Sequence, residues 1–473
     1  MLFTSQEFVV LLTITFLLYY VPFLKKLQVA ILIASSFVFY AYFQPALLLL
    51  LIFSIIINAS ASYFIYLKNT IHSKKIAIAG VVTNLALLCF FKYSPLVADV
   101  FFRSDNSIRH FLITLPLPIG ISFFTFEGIT LLVDTYTGQV EQNKKKVIIA
   151  GSPLKHIGNV AFFISFFPHL ISGPILKAYE FFPQIKTKKF TEIPWQNAVK
   201  MLITGYFLKM VIADNLKEQT NYLSYPGFLS APTSSLVIQV FGYSMQIFAD
   251  FAGYSLIALG LAALFGYTLN QNFNYPYIST SFAEFWRRWH ISLSTFLREY
   301  LYFPLGGNRK GKWRTYLNLL IVMGLGGLWH GAAWKYAVWG LAHGLALVVE
   351  RMFKDTVKIK QNRLINFIGG CLVFVYVSLA WLLFKLHNFK HVVLYFKTFA
   401  ANSHIPISFF FQRVNIYNLL YALPVVLYHV YYLFKRKYTN SPALKYEFLL
   451  YGVMLFFIVT NSGLSGDFIY FQF

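Results

Sequence analysis

His290 and His330 stand in the run SFAEFWRRWHISLSTFLREYLYFPLGGNRKGKWRTYLNLLIVMGLGGLWHGAAWKYAVWGLAHG, residues 281–344 of a largely apolar chain. Imidazole titrates near neutrality and can take a proton from a hydroxyl, so each ring is a candidate general base. His330 lies in GLGGLWHGAAW, where small residues permit close backbone approach and leave room for a thin substrate beside the ring. The competing reading is a structural histidine hydrogen-bonded between helices. His290 ends EFWRRWH, beside Trp286, Arg287, Arg288 and Trp289. These four side chains read either as an interfacial anchor with its aromatic belt or as a site whose guanidiniums attract a phosphorylated donor.

Asp250 sits inside the apolar stretch FGYSMQIFADFAGYSLIALGLAAL. A carboxylate at membrane depth requires a partner, and His290 or a tunnel-lining amide is the expected one. Asp250, Trp286, Arg287, Arg288, Trp289 and Trp329 are the candidates for binding a donor. His169 in FFPHLISGPI and His343 in WGLAHG read as packed or interfacial histidines. No HExxH, cysteine pairing or carboxylate cluster has the spacing of a metal site, so no metal is expected, and the absence of a P-loop argues against an ATP-driven pump.

The elements that must position these residues are membrane helices. The chain is 58% hydrophobic and only 12% charged, with a mean hydropathy of +0.59. Its net charge of +23 is carried largely by short loops between apolar runs, the pattern that orients membrane proteins, and no groove-reading or base-stacking module points to nucleic acid. The first apolar run, Phe8 to Phe23, ends in Lys25 and Lys26 without a small-residue cleavage site and reads as a span rather than a cleaved signal. Cys89 and Cys371 fall within apolar spans and read as small packing residues, not as a disulfide or metal pair.

Crossing a bilayer as a helix takes about 17–25 apolar residues. Candidate spans lie near 8–24, 28–43, 46–67, 76–93, 116–135, 198–213, 233–268, 364–386, 411–434 and 447–463. With the N-terminus outside, Lys25, Lys26, Lys68, Lys74, Lys75 and Lys144 to Lys146 fall on the cytoplasmic side, while Asp99 and Asp105 fall outside. The segment His156 to Pro174 has basic loops at both ends, so it is predicted to be a re-entrant hairpin or broken helix that walls a cavity, helped by Pro168, Gly173 and Pro174. Between Arg314 and Arg351 the chain must go in and return, with Gly324, Gly326, Gly327 and Gly331 near the middle. A pair of short or re-entrant helices whose turn carries His330 is the predicted result. The whole chain is expected to form one all-α membrane domain, residues 1–473.

Taken together, GISFFTFEGITLLVDTYTG at 120–138, FFPHLISGPI at 166–175, FADFAGYSLIALG at 248–260, FWRRWHISLSTFLREYLYFPLGGNRKG at 285–311 and GLWHGAAW at 327–334 resemble the membrane-bound O-acyltransferase (MBOAT) family. The likeness is to its bacterial branch of alginate and peptidoglycan O-acetylation membrane subunits. It implies an all-α polytopic core of about 11 spanning helices, with re-entrant or broken helices around a central tunnel. It further implies that His330 is the family's catalytic histidine and His290 its second polar partner. His169 stands where relatives often carry glutamine. The activity implied is transfer of an acyl group, acetyl first, from a cytoplasmic thioester such as acetyl-CoA to a hydroxyl on the outer side. No bound cofactor is expected; an extracytoplasmic acetyltransferase partner and a bacterial inner-membrane location are. D-alanyl transfer to teichoic acid from a carrier protein is a second possibility, and a transporter or flippase with proton-relaying histidines is the rival from another class.

Overall fold

A computed structural model of the chain describes residues 1–42, 44–67, 70–103, 106–140, 147, 149–171, 173–357, 362–402, 412–438, 446–464 and 466. Lys68, Asp105 and Lys144 to Lys146, which entered the orientation above, lie outside the described residues. Among the described residues every regular element is helical. Among the described residues, six helices are long and apolar enough to cross a membrane: Pro22–Ala41, Pro45–Leu67, Ile71–Phe101, Thr233–Leu264, Arg363–Lys385 and Arg413–Lys437. Gln6–Tyr20 and Glu447–Thr460 are shorter apolar helices. The protein is therefore an all-α, multi-pass membrane protein. Contacts divide it into two units, Met1–Leu202 with Ile257–Asn270, and Ile203–Leu256 with Gln271–Phe473.

The first unit turns its few polar side chains inward, because lipid offers them no hydrogen bonds. Asn58 and Asn84 donate to each other's side-chain oxygens at 3.2 and 2.9 Å, and Ser62 meets the His156 ring at 2.8 Å. The segment predicted to break does so. A helix over Pro153–Ser165 ends at Phe166, whose ψ of 105° leaves the helical range, and a single turn, Phe167–Leu170, follows. Its side chains from Val160 to Leu170 are buried apart from the small part of Ala161. The site cavities described below are not lined by it. His169 is fully buried, with its Nδ1 3.1 Å from the Glu127 carboxylate, which also accepts the Leu176 backbone N–H at 3.3 Å. That carboxylate ties the irregular segment to the Ile121–Val140 helix.

The second unit holds the chain's candidate chemistry. Helices Lys312–His330 and Trp334–Thr356 are joined by only three residues, and His330 is the last residue of the first, as the glycine cluster predicted. They are full-length helices rather than short ones. Glycines set their crossing: a Cβ on Gly340 would strike the Met323 carbonyl, and one on Gly327 would strike the Tyr336 carbonyl. Gly340→Val is expected to cost about 1–3 kcal/mol or more by forcing the helices apart, read as a lower unfolding temperature in detergent; an unchanged temperature would show that the crossing tolerates a side chain. The two cysteines depart from expectation. Cys89 and Cys371 are both exposed and unbridged, so neither is a packing residue. Both sit on apolar spans whose outward face meets lipid, where a small weakly polar side chain is tolerated.

Candidate active site

The segment bearing His290 is built by local capping. Ser281 caps helix Phe282–Arg288 by accepting the Glu284 N–H at 3.2 Å, and Glu284 reaches back to accept from Thr280 N at 2.9 Å. Burial alone would raise the Glu284 carboxyl, but the Thr280 donors and the Arg288 guanidinium overcome it and hold it below its ordinary range. Glu350, from the Trp334–Thr356 helix, accepts the Phe282 and Ala283 N–H groups that begin helix Phe282–Arg288, at 2.5 and 3.3 Å, which fastens the two elements together. His290 then takes a left-handed conformation, φ 43° and ψ 55°, before helix Ile291–Leu297. A non-glycine residue held there costs about 1–3 kcal/mol and is characteristic of functional sites. Asn272 holds the turn: its carbonyl takes the Ile291 N–H at 2.9 Å and its side chain takes the Ser292 hydroxyl at 2.6 Å.

This strained turn brings His290 to His330. Their ring centroids are 6.3 Å apart, and Trp329 packs on both, 5.7 Å from His290 and 5.0 Å from His330. His290 also meets Phe251 at 4.7 Å. Trp339 and Phe384 close around His330 at 5.2 and 5.4 Å. Both imidazoles are buried, at 0% and 3% exposure, so a reaction at them proceeds away from bulk water.

His330 opens onto an apolar cavity of about 230 Å³, walled by residues such as Trp286, Leu297, Met323 and Trp339 and running to Arg298 and Tyr302. A second cavity, about 400 Å³, is polar, and its lining includes Lys209, Asp214, Asp250, Lys335, Phe384 and Lys385. Phe384 belongs to both surroundings: it lines the polar cavity and packs on His330. An imidazole between an apolar slot and a polar chamber can serve a reaction whose two substrates arrive separately.

The donor-binding candidates fare differently. Trp286 lines the apolar cavity and Trp329 packs against both histidines. Arg287 is exposed. Arg288 is already engaged, donating to Glu284 and to the Asn274 carbonyl, both at 2.9 Å, so it braces the turn. Trp289 is 1% exposed and stacks on Phe285 at 5.5 Å, which overturns its reading as an interfacial belt residue. Asp250 is corrected as well. Its carboxylate pairs with the Lys209 ammonium at 2.8 Å, a partner the sequence did not suggest, and Lys209 also binds Asp214 at 2.7 Å. An ammonium supplies the full countercharge that a buried carboxylate needs, which an amide cannot. His343 is packed as expected, with Trp339 at 4.7 Å and Trp286 at 5.2 Å.

Sequence reading missed Lys209, Lys335, Lys385 and Glu127. For Lys209 and Asp214 a signal was available: FLKMVIAD places two charges in a run otherwise read as a span. Phe384 and Trp339 carried none, since apolar aromatics in a chain with 19% aromatic residues do not stand out.

Residues 152–386 match the MBOAT, membrane-bound O-acyltransferase family. The chain is 35% identical over 431 residues to the peptidoglycan O-acetyltransferase of Helicobacter pylori, covering 83% of this chain and 80% of that one. It is 36% identical over 401 residues to the probable alginate O-acetylase AlgI of Pseudomonas aeruginosa, covering 82% of this chain and 73% of the relative. The teichoic acid D-alanyltransferase of Bacillus subtilis is 28% identical over 290 residues, covering 58% and 70%.

Proposed function

The chain belongs to the membrane-bound O-acyltransferase family and is an acyltransferase, and from that premise we propose that it moves an acetyl group from a cytoplasmic thioester, such as acetyl-CoA, to a hydroxyl on the outer side of a bacterial inner membrane. The product is an O-acetylated cell-surface or secreted polysaccharide, reached through an extracytoplasmic partner acetyltransferase. The observation that carries this reading is the position of His330, beside His290 and at the end of the apolar cavity.

The thioester's apolar arm lies along that cavity, past Trp286, with its phosphorylated end toward Arg298 and the exposed Arg287. His330 takes the proton of the acceptor hydroxyl as its oxygen attacks the thioester carbonyl. The tetrahedral intermediate collapses by breaking the carbon–sulfur bond, and the thiolate recovers the proton from the imidazolium. His290, fixed by its turn, orients the donor or assists the proton, and Trp329 packs against both rings. Asp250 acts on the acceptor side, as part of the polar cavity's wall. The N-terminus lies outside, because that orientation puts most Lys and Arg residues in the cytoplasm.

The D-alanyl reading finds support in the Bacillus relative, yet a D-alanyl group carries an ammonium, and among the described residues no carboxylate lines the apolar cavity. Acetyl, which is neutral, suits such a wall better. Vesicles containing the full chain should be loaded with acetyl-labelled CoA on one side and given the acceptor system on the other. Label on an acceptor hydroxyl across the membrane is the expected result; turnover with a D-alanyl thioester but none with acetyl would reverse the assignment.

A further inference from the structure

Among the described residues, two that are not glycine take a positive φ, Tyr275 at 48° and His290 at 43°, and they lie on segments bonded to each other. L side chains settle in that region only where the surroundings hold them. Segment 272–275 holds His290 from both sides. Ahead of the histidine, Asn274 donates its N–H to the Arg288 carbonyl at 2.9 Å, and the Arg288 guanidinium donates back to the Asn274 carbonyl at 2.9 Å. Beyond it, the Asn272 carbonyl accepts the Ile291 N–H at 2.9 Å, while its side-chain oxygen accepts the Ser292 N–H at 3.3 Å and the Ser292 hydroxyl at 2.6 Å. The backbone is therefore tied two residues before His290, one after it and two after it.

The same segment backs the ring. Phe273 packs on Phe251 at 4.8 Å and on Trp289 at 5.0 Å, and Phe251 meets the His290 imidazole at 4.7 Å. Tyr275 anchors the far end: its ring stacks on Tyr428 at 4.6 Å and on Tyr432 at 4.0 Å, one turn apart on the Arg413–Lys437 helix. Asn272 is 1% exposed and stands outside the lining of both cavities, so it is placed to act on His290 rather than on a substrate. Hydrogen bonds from a neutral side chain and the strain of a left-handed residue are of the same order, so losing the former lets the turn relax. We propose that Asn272 is a positioning residue for the transfer reaction: through Ser292 it holds the left-handed turn that keeps the His290 ring beside His330. The assignment rests on the acyltransfer reading above, to which it adds how the second histidine is kept in place.

The test uses the full chain in lipid nanodiscs and reads two quantities: the rate of acetyl-CoA breakdown at saturating donor, and the nitrogen signals of the His290 ring in solid-state spectra of histidine-labelled protein, identified by their loss in His290→Ala. Asn272→Ala should lower the rate about tenfold, inside the hundredfold range that a misplacement of about 1 Å spans. Ser292→Ala should lower it about two- to fivefold, as one hydrogen bond is lost, and Ser292→Thr, which returns a hydroxyl, should recover most of that loss. In the His290→Ala background, Asn272→Ala should change the rate by less than about twofold, because no ring remains to be placed. The ring signals should move in both alanine variants and return in Ser292→Thr, since the neighbouring Phe251 and Trp329 rings make them sensitive to position. A parent rate in Asn272→Ala overturns the proposal, and so does a full further loss on top of His290→Ala, which would assign Asn272 to the fold or to the substrate. Should Asn272→Ala fail to fold, the Ser292 pair decides: equal rates and equal ring signals in the alanine and threonine variants overturn it. A parent inert toward acetyl-CoA would count against the acyltransfer reading alone, and unmoved ring signals in Asn272→Ala and Ser292→Ala against the positioning role alone.

Discussion

Replacing His330 by alanine is expected to lower acyl transfer from a thioester by about 10²–10⁴-fold, the range lost with a positioned general base. The expectation follows from geometry. His330 ends its helix at the boundary of the apolar cavity, and Trp329, Trp339 and Phe384 hold the ring, with centroids 5.0 to 5.4 Å away. Removing the imidazole leaves a small gap beside these aromatics and removes the group that accepts the hydroxyl proton. Thioester hydrolysis by water needs the same proton acceptor, so it should fall together with transfer. His290→Ala is expected to cost less in rate. The two variants together should lose less than the product of the separate losses, because groups that act as a unit are not additive. Single-turnover measurements on folded, detergent-purified variants decide it: full transfer by His330→Ala would remove this histidine from the mechanism.

Lys209→Met should destabilise the protein by about 3–5 kcal/mol, the cost of taking one partner from a buried ion pair. Lys209 is 1% exposed and holds Asp214 at 2.7 Å and Asp250 at 2.8 Å, while also donating to the Gly466 carbonyl at 3.1 Å. Methionine keeps the length of the side chain but leaves two carboxylates facing each other at low dielectric. Neutralising both, by adding Asp214→Asn and Asp250→Asn, should recover a large part of the loss, since the repulsion disappears with the charges. Thermal unfolding of the single and triple variants is the measurement. A single variant as stable as the parent would mean that water reaches these carboxylates and that the triad is a surface feature.

How much of this was readable before folding depends on the kind of interaction. The crossing of helices Lys312–His330 and Trp334–Thr356 was legible because glycine spacing directly states where backbones approach. The break after Ser165 was legible from Pro168 and the basic loops at both ends, since backbone chemistry and charge topology are local properties. Arg288 was read as an interfacial anchor or as a draw for a phosphorylated donor, and its partners, Glu284 and the Asn274 carbonyl, become visible only when the turn is built. Glu127 went unnoticed in GISFFTFEGIT, although an acid in an apolar run signals a buried partner as plainly as Asp250 did.

By itself, the sequence determined that this protein is a helical membrane protein, which residues could exchange a proton, and which family's chemistry they serve. Hydropathy, residue type and motif spacing are properties of the chain alone. Only the tertiary structure decided that His290 and His330 lie 6.3 Å apart, that Asp250 answers to Lys209, and that Lys209, Lys335 and Lys385, from separate segments, line one cavity. Pairings of this sort join residues far apart in the chain, and they depend on how helices rotate and cross. Lipid exerts little selection on that rotation; the packing of glycines and aromatic rings, summed over the whole unit, sets it.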